Sequence, residues 1–437
     1  MEQQKIVVGL DIGTTKICAI VGVKNQFGKL EVIGMGKAPS DGVRHGMVIN
    51  IDKTTNAIKK AIAEAEEMAN INIGVVNVGI AGQHIRSSIY HNSITRQSHE
   101  GLISVEDVNN LTNDTYKSVT PPGSKIIHVM PQDYIIDFEP GIKDPVGMQG
   151  TKLEADFHVI TAHTTAIDNI RRCVNYAGLE VDNLILEPLA SSLSVLTEEE
   201  KEAGVALIDI GGGTTDIAIF YDNIIRHTAV IPFGGNVITE DIKEGCNVML
   251  NQAEQLKVKF GMAIAEEADH NKVIVIDGFR NRAQKHISVK NLAHIIEARM
   301  EEIIELAYAE ILNCRFSKKL SAGLVITGGG SQLQFLKQKI EHQTGMETRI
   351  GLPNEHLGKS KVEEIKSAMY ATSVGLVLSG FRALDYRENA YAEINANNSQ
   401  RMNRKSGVRE TSGDFFSKLL AKTKSILTDD LDDKKGY

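Results

Sequence analysis

The sequence predicts an α/β fold with two similar halves around a phosphate-binding cleft, a small α+β subdomain inserted in one half, and a C-terminal amphipathic helix. Two observations lead there. A glycine-rich hairpin occurs twice, and each copy sits in an alternation of strand-like and helix-like segments. The fuller copy is residues 207–220, LIDIGGGTTDIAIF. Its apolar run ends in Asp209, turns through Gly211, Gly212, Gly213, Thr214 and Thr215, and resumes after Asp216. That order reads as strand, tight turn and strand. Glycines let a phosphate approach bare backbone, where converging N–H groups and threonine hydroxyls donate to it. Asp209 would repel a bare phosphate, so its place fits a Mg2+ ion held through water. One such stretch alone reads as an ordinary hairpin. The second copy tips the balance: Asp11, Ile12, Gly13, Thr14, Thr15 and Lys16 also lie between two apolar runs. Both copies continue into a third strand-like segment, residues 30–35 and 228–232. Two acidic, donor-rich hairpins suggest a clamp on one polyphosphate.

Bulk composition sets the limits. A chain of 437 residues is long enough for two or more domains with real cores. Its 42% hydrophobic and 24% charged residues are ordinary for a soluble globular protein. A net charge of −8 argues against nucleic acid as the main partner, because no basic field neutralises phosphates. Cys18, Cys173, Cys246 and Cys314 form no CxxC pair, so neither a zinc site nor a disulfide framework is expected. The expected compartment is therefore reducing and cytosolic. The N-terminal residues have no signal-peptide layout, and no apolar run approaches the ~18 residues of a spanning helix. The chain is expected not to cross a membrane, which leaves it free to lie on one.

In chain order, residues 53–69 read as a helix capped by Asp52, with Ala57, Ile58, Ala61, Ile62, Ala65 and Met68 on one face. Residues 75–81 read as a buried strand. From 84 to 161 the texture changes to short β-like pieces (126–129, 134–138, 157–161), a helix over 104–116, and proline-rich breaks. This is the inserted subdomain. Its histidines, His84, His91, His99, His128, His158 and His163, match no ligand spacing and read as surface or core residues.

The α/β pattern resumes with a helix over 165–177, closed by Gly178, and a strand over 181–186. Glu187 and Pro188 open the next helix. A carboxylate there can orient a water against a terminal phosphate. The plain reading is a helix N-terminal acid favoured by the dipole; the two hairpins favour the former. Residues 236–308 form a second insertion, with helices over 236–250 and 252–260, a hairpin (272–276 with 285–288) and a long helix from Lys290. Glu254 and Lys257 fall on adjacent turns and can bracket a ribose, although alone they read as an exposed ion pair. The strand Leu324–Thr327 feeds Gly328, Gly329, Gly330 and Ser331, then a helix over 332–343. Bare backbone at this turn lets a flat purine lie against it. Three glycines exceed what a plain loop needs. A helix over 361–379 carries small residues at 371–375, suited to close packing between the halves.

Taken together, residues 11–16, 186–190, 209–216, 326–331 and 371–376 resemble, in order, the five motifs of the superfamily of actin, heat-shock chaperone ATPases and sugar kinases. The likeness covers residues 5–379. Within that superfamily, residues 78–85 (VGIAGQHI), 147–159 and 254–261 resemble signatures of the FtsA family of bacterial cell-division proteins. The resemblance implies an actin-like fold of two duplicated ribonuclease-H-like halves, with ATP and Mg2+ as cofactors. It places Glu187, Asp11 and Asp209 at the catalytic positions, the two aspartates also holding the metal, and leaves hydrolysis open beside binding. It further implies self-assembly into filaments, and tethering of filaments of the tubulin-like protein FtsZ to the cytoplasmic membrane at the division site. Later division proteins would be recruited there. The C-terminal peptide of FtsZ would dock on the second insertion, at Arg299.

The implied layout is a first half of residues 1–83 with 162–197 and 365–385, and the insertion at 84–161. The second half is 198–243 with 309–364, carrying its own insertion at 244–308. A linker (386–412), a membrane helix (413–428) and an acidic tail (429–437) complete it.

The tail has its own physical logic. The linker is rich in Asn, Ser and Arg without apolar period and reads as disordered. In GDFFSKLLAKTKSILT, Phe415, Phe416, Leu419, Leu420, Ile426 and Leu427 recur at helical spacing beside Lys418, Lys422 and Lys424. That is the layout of an interfacial membrane helix, against the alternative of a helix folding back on the body. Six apolar side chains at roughly 1.5 kcal/mol each give about 9 kcal/mol gross, much of it offset by ordering a short helix. One tail holds weakly, whereas a row of tails on a filament holds strongly. Asp429, Asp430, Asp432 and Asp433 depart from the family pattern and are unfavourable beside anionic lipid. Two other classes remain as alternatives. A metabolite kinase would need a catalytic base in a substrate pocket, and a pilus-type actin-like adaptor would not need the tail.

Overall fold

The computed structural model describes residues 5–96, 101–118, 120–276 and 283–405, with side chains to Glu388. Residues to Phe381 make one compact unit and those from Arg382 a second.

The first half opens with β1 (Ile6–Ile12), β2 (Lys16–Lys24) and β3 (Leu30–Pro39), an antiparallel meander. A small hairpin, β4 (Val43–Arg44) and β5 (Met47–Val48), leads into α1 (Ile51–Ala69). After it, β6 (Val75–Ile80) pairs in parallel with β1. The insertion follows as β7 (Ile85–Thr95), α2 (Val105–Tyr116), β8 (Ser124–Ile136), β9 (Glu139–Ile142) and β10 (Lys152–His163). The half closes with α3 (Thr164–Tyr176), β11 (Glu180–Leu186) and α4 (Glu187–Val195), giving the strand order β11-β6-β1-β2-β3.

The second half begins after α5 (Glu198–Ala203) with the meander β12 (Val205–Ile210), β13 (Thr215–Tyr221) and β14 (Ile224–Ile231). Helices α6 (Gly235–Gly245) and α7 (Leu250–Phe260), the hairpin β15 (Val273–Ile276) and β16 (Lys285–Ser288), and α8 (Val289–Asn313) follow. Then come β17 (Leu324–Thr327), α9 (Leu336–Thr344) and β18 (Thr348–Ile350), in the order β14-β13-β12-β17-β18. Both sheets thus have three antiparallel strands and then two parallel ones, in the same sequence of events. The repeat seen in two hairpins extends to whole sheets. Strands β2 and β12 are buried along almost their full length, which explains their unbroken apolar sequence: helices cover both faces.

Several expectations need correction. The cap of α1 is Asn50, whose side chain accepts from the Lys53 N–H, while Asp52 lies inside the first turn. Met68 stays exposed. The β-like pieces at 126–129 and 134–138 are one strand, β8, with an irregularity near Pro131, where proline is tolerated in a sheet. Strand β7 has a mostly polar sequence because it is an edge with most of its side chains outside the core. Residues 363–370 form two tight 3-10 turns instead of helix. Helix α10 starts at Ala371 and runs to Lys405, through most of the expected linker. Alanine, leucine, glutamate and arginine recur there and no proline interrupts them, so local propensity suffices. The acidic tail and the expected membrane helix, with Phe415, Phe416, Leu419, Leu420, Ile426 and Leu427, lie outside the described residues.

The insertion forms a sheet in the order β7-β10-β8-β9, with Leu111 of α2 buried beside Phe157 and Leu153. Although it grows from the first half, it docks on β14 of the second. Gln132 donates to the Ile225 carbonyl (2.7 Å), Arg226 pairs with Asp133 (2.7 Å), and Ser87 donates to the Thr228 carbonyl (3.1 Å). His158 Nε2 meets the Thr228 hydroxyl at 3.1 Å. His128 Nε2 accepts the Leu186 N–H at 3.0 Å, tying β8 to the residue before Glu187.

Burial pulls the pKa of His84, His128 and His158 from 6.5 down to about 4, aided at His84 by His163 and at His158 by His227. The folded state therefore favours the neutral rings. Their contribution is complete above pH 6.5 and is lost as pH falls towards 4, since the unfolded chain binds those protons more readily. Thermal unfolding should show a Tm that declines across that window. Replacing His128 with Gln and His158 with Asn should flatten the decline, and an unchanged slope would contradict the assignment.

Candidate functional site

The two hairpin turns meet face to face. A Cβ on Gly213 would lie 2.5 Å from the Thr14 hydroxyl, and one on Gly212 would run into the Thr15 hydroxyl. Around this junction lies a cleft of about 340 Å3. Among its lining residues are Gly13, Thr14, Thr15, Lys16, Gly211, Gly212, Gly213 and Thr214.

Five carboxyl groups also line it: Asp11, Glu187, Asp209 and Asp216 beside the turns, and Glu254 on α7. Asp11 ends β1 opposite Cys18, and Asp209 ends β12 opposite Asp216, so the second hairpin carries an extra acid at the matching position. Burial raises the pKa of Asp11, against the pull of Lys16 and a 2.8 Å hydrogen bond from Ser373. Burial also raises Asp209, opposed by hydrogen bonds from Ser191 (2.6 Å) and Thr372 (3.1 Å). Asp216 is pushed up to about 7 by burial and by Asp209; Thr214 donates to one of its oxygens while the other, Oδ1, has no partner. Glu187 stands well above the carboxylate range, because burial is reinforced by Asp11, Asp216 and Asp209. A cation entering this set would restore the charged forms. Among the described residues no three such groups converge tightly enough to hold a bare ion. The donor set instead suits a hydrated Mg2+ completed by water and phosphate oxygens.

Helices α4 and α10 cross directly behind the carboxylates. A Cβ on Gly375 would run into the Ala190 carbonyl, and Ser194 donates to the Ala371 carbonyl at 2.7 Å. This is the close contact expected from the small residues of α10. Ser191, Thr372 and Ser373, which orient the aspartates, were not anticipated; Ser191 lies 18 residues from Asp209, and Thr372 and Ser373 lie 163 and 362 residues from their carboxylates, beyond any local pattern.

The purine and ribose candidates also gather at the cleft. Lys257 pairs with Glu254 at 2.7 Å and donates to the Gly235 carbonyl (2.9 Å) and the Thr239 hydroxyl (2.8 Å). Gly328, Gly329 and Gly330 line the cleft with Asn236, Gln332 and Gln334, three polar residues that sequence reasoning missed.

Two predicted donors turn away. Thr215 is the first residue of β13 and gives its hydroxyl to the Phe233 carbonyl (2.9 Å). Ser331 closes its own turn on the Gly328 carbonyl (2.7 Å). Lys16 reaches the wall, yet its ammonium donates to the Met369 carbonyl (3.1 Å) and sits 3.5 Å from the centre of the Tyr370 ring. Arg299 lies on α8, paired with Asp241 (2.6 Å) and Glu302, and is not part of the cleft lining.

Comparisons with known proteins give the family. Residues 206–375 match the family described as "Cell division protein FtsA", and residues 82–161 match the "SHS2 domain inserted in FTSA". The cell division protein FtsA of Pseudomonas aeruginosa is 40% identical over 382 residues, which span 87% of this chain and 91% of that one. The chain belongs to the FtsA family. FtsA of Escherichia coli K12 is 36% identical over 385 residues, 86% of this chain and 90% of that one. In fold, this chain is similar to a solved PilM–PilN type IV pilus biogenesis complex, with TM-score 0.63 and 17% identity over 86% of this chain and 99% of that one. It is also similar to MreB5 of Spiroplasma citri bound to ADP, with TM-score 0.52 and 15% identity over 89% and 98%. The fold is actin-like with an SHS2 insertion, and the FtsA homologues make this a cell-division protein.

Replacing Gly375 with Val should force α10 off α4 and cost about 1–3 kcal/mol, as overpacking does. A urea midpoint indistinguishable from the parent chain would show that the crossing is not tight.

Proposed function

We propose that this FtsA-family protein binds ATP with Mg2+ in the cleft, assembles into filaments and tethers FtsZ filaments to the cytoplasmic membrane. The single observation that supports this best is the meeting of two phosphate-type turns above three buried aspartates and Glu187. MreB5, of like fold, was solved with ADP. In this reading the N–H groups of the glycine turns and the Thr14 hydroxyl bind phosphate oxygens. Asp11 and Asp209, fixed by Ser373, Ser191 and Thr372, hold water molecules of the ion. Mg2+ supplies charge neutralisation of the phosphates. Glu254 and Lys257 bracket the ribose, and Gly328 to Gly330 face the purine. Glu187 orients a water, its pKa held above the usual carboxylate range by burial and by Asp11, Asp216 and Asp209.

The FtsZ C-terminal peptide binds the second insertion near Arg299, where it competes with Asp241 and Glu302 for the guanidinium. Residues 413–428 lie on the cytoplasmic face of the membrane at the division site, peripherally, and later division proteins gather on the assembled filament. Among the described residues no helix is long and apolar enough to cross a membrane. Filament growth multiplies weak tails into firm attachment.

Two measurements test this reading. Asp209→Ala should abolish Mg2+-dependent ATP binding in calorimetry, and a normal affinity would refute the site. A polymerisation-defective chain with its tail intact should sediment poorly with liposomes, and undiminished binding would refute attachment through avidity.

A further inference from the structure

The second phosphate turn holds all three of its glycine carbonyls away from an anion, and one of them depends on the opposite half. The Gly211 carbonyl accepts from the Gly235 N–H (2.9 Å) and the Gly212 carbonyl from the Asn236 N–H (2.8 Å), both at the start of α6. The Gly213 carbonyl is held by the His45 ring, with Nδ1 at 3.0 Å. A carbonyl only accepts, so Nδ1 carries the proton. Among the described residues no acceptor takes the N–H of Gly212 or Gly213, which leaves those donors for a ligand.

His45 sits at the tip of the β4–β5 hairpin, between the paired residues Arg44 and Met47. Its φ is +47° and that of Gly46 is +73°, the two left-handed residues of a type I′ turn. A histidine in that conformation is uncommon, and such strain clusters where surroundings enforce it. Here the surroundings are both phosphate turns. Gly46 itself lines the cleft, and its N–H donates to the Thr14 hydroxyl oxygen at 3.2 Å. That bond fills an acceptor position on the Thr14 hydroxyl and leaves its proton to point at an anion. The Ser40 N–H, just ahead of the hairpin, binds the Thr15 carbonyl at 3.1 Å.

We propose that His45 is a positioning residue that sets the preference for nucleoside triphosphate over diphosphate, by holding the Gly213 carbonyl out of the cleft from across it. This rests on the ATP reading above. Without the ring, the freed carbonyl tips its negative end towards the phosphates. The repulsion grows with phosphate charge, so a triphosphate suffers more than a diphosphate.

The experiment is calorimetric titration of the full chain with Mg2+ and either ADP or a non-hydrolysable β,γ-imido ATP analogue. His45→Ala should weaken the triphosphate about tenfold, the scale of one lost hydrogen bond plus an unpaired carbonyl, and ADP less than threefold. His45→Asn, which tolerates a left-handed backbone and offers an amide donor, should recover part of the preference. Equal losses for both nucleotides, no loss, or an Asn variant that tracks Ala would each overturn the proposal. If the parent chain binds neither nucleotide, the ATP reading fails and this inference with it. If the parent binds both and His45→Ala keeps their ratio, only this inference fails.

Discussion

Four carboxyl groups gathered in one cleft, three of them buried, oppose one another, and much of the surrounding structure offsets that repulsion. Burying an unpaired charge is costly, so each group needs a hydrogen bond, a cation or a proton. Asp209 takes two hydroxyls, from α4 and α10, and Asp11 takes one from α10. Asp216 takes one from Thr214 and, like Glu187, has its pKa raised by burial and by its acidic neighbours. The serines and threonine can serve only because the two helices touch at Ala190 and Gly375, which brings side chains from both helices to the same pair of aspartates. A charged ligand that neutralises the cleft would relieve a strain already present in its absence.

The duplication is close but not symmetric, and the asymmetry has chemical content. Cys18 and Asp216 hold equivalent places opposite the two strand-end aspartates. Burial pushes the Cys18 thiol up to about 12, so it stays neutral, whereas Asp216 lies at the edge of ionisation near neutral pH. The first turn is thus the less acidic of the two and carries Lys16, while the second is richer in bare backbone and acid.

What the sequence revealed and what it hid divide along one line. Features encoded by neighbours in the chain were legible: both hairpins, the glycine turn after β17, the amphipathic face of α1, and the Glu254–Lys257 pair. Features that need a partner more than a hundred residues away were not. Ser373 reaches Asp11 across 362 residues, Thr372 reaches Asp209 across 163, and His45 reaches Gly213 from the other half. Thr215 and Ser331 show the opposite error. Their residue type fitted a phosphate donor, but side-chain direction is set by strand pleat and turn closure, which composition does not reveal. Strand β7 escaped notice because an edge strand needs little apolar sequence, and α10 outran its expected end because polar residues with good helix propensity resemble linker.

The insertion is tied to both halves: the chain roots it in the first, while Arg226, Gln132 and His158 bond it to β14 of the second. Mechanically that converts a simple two-leaf hinge into a braced frame. The leaves can slide or twist by small amounts about the helix crossing, but wide gaping would require the brace to detach first.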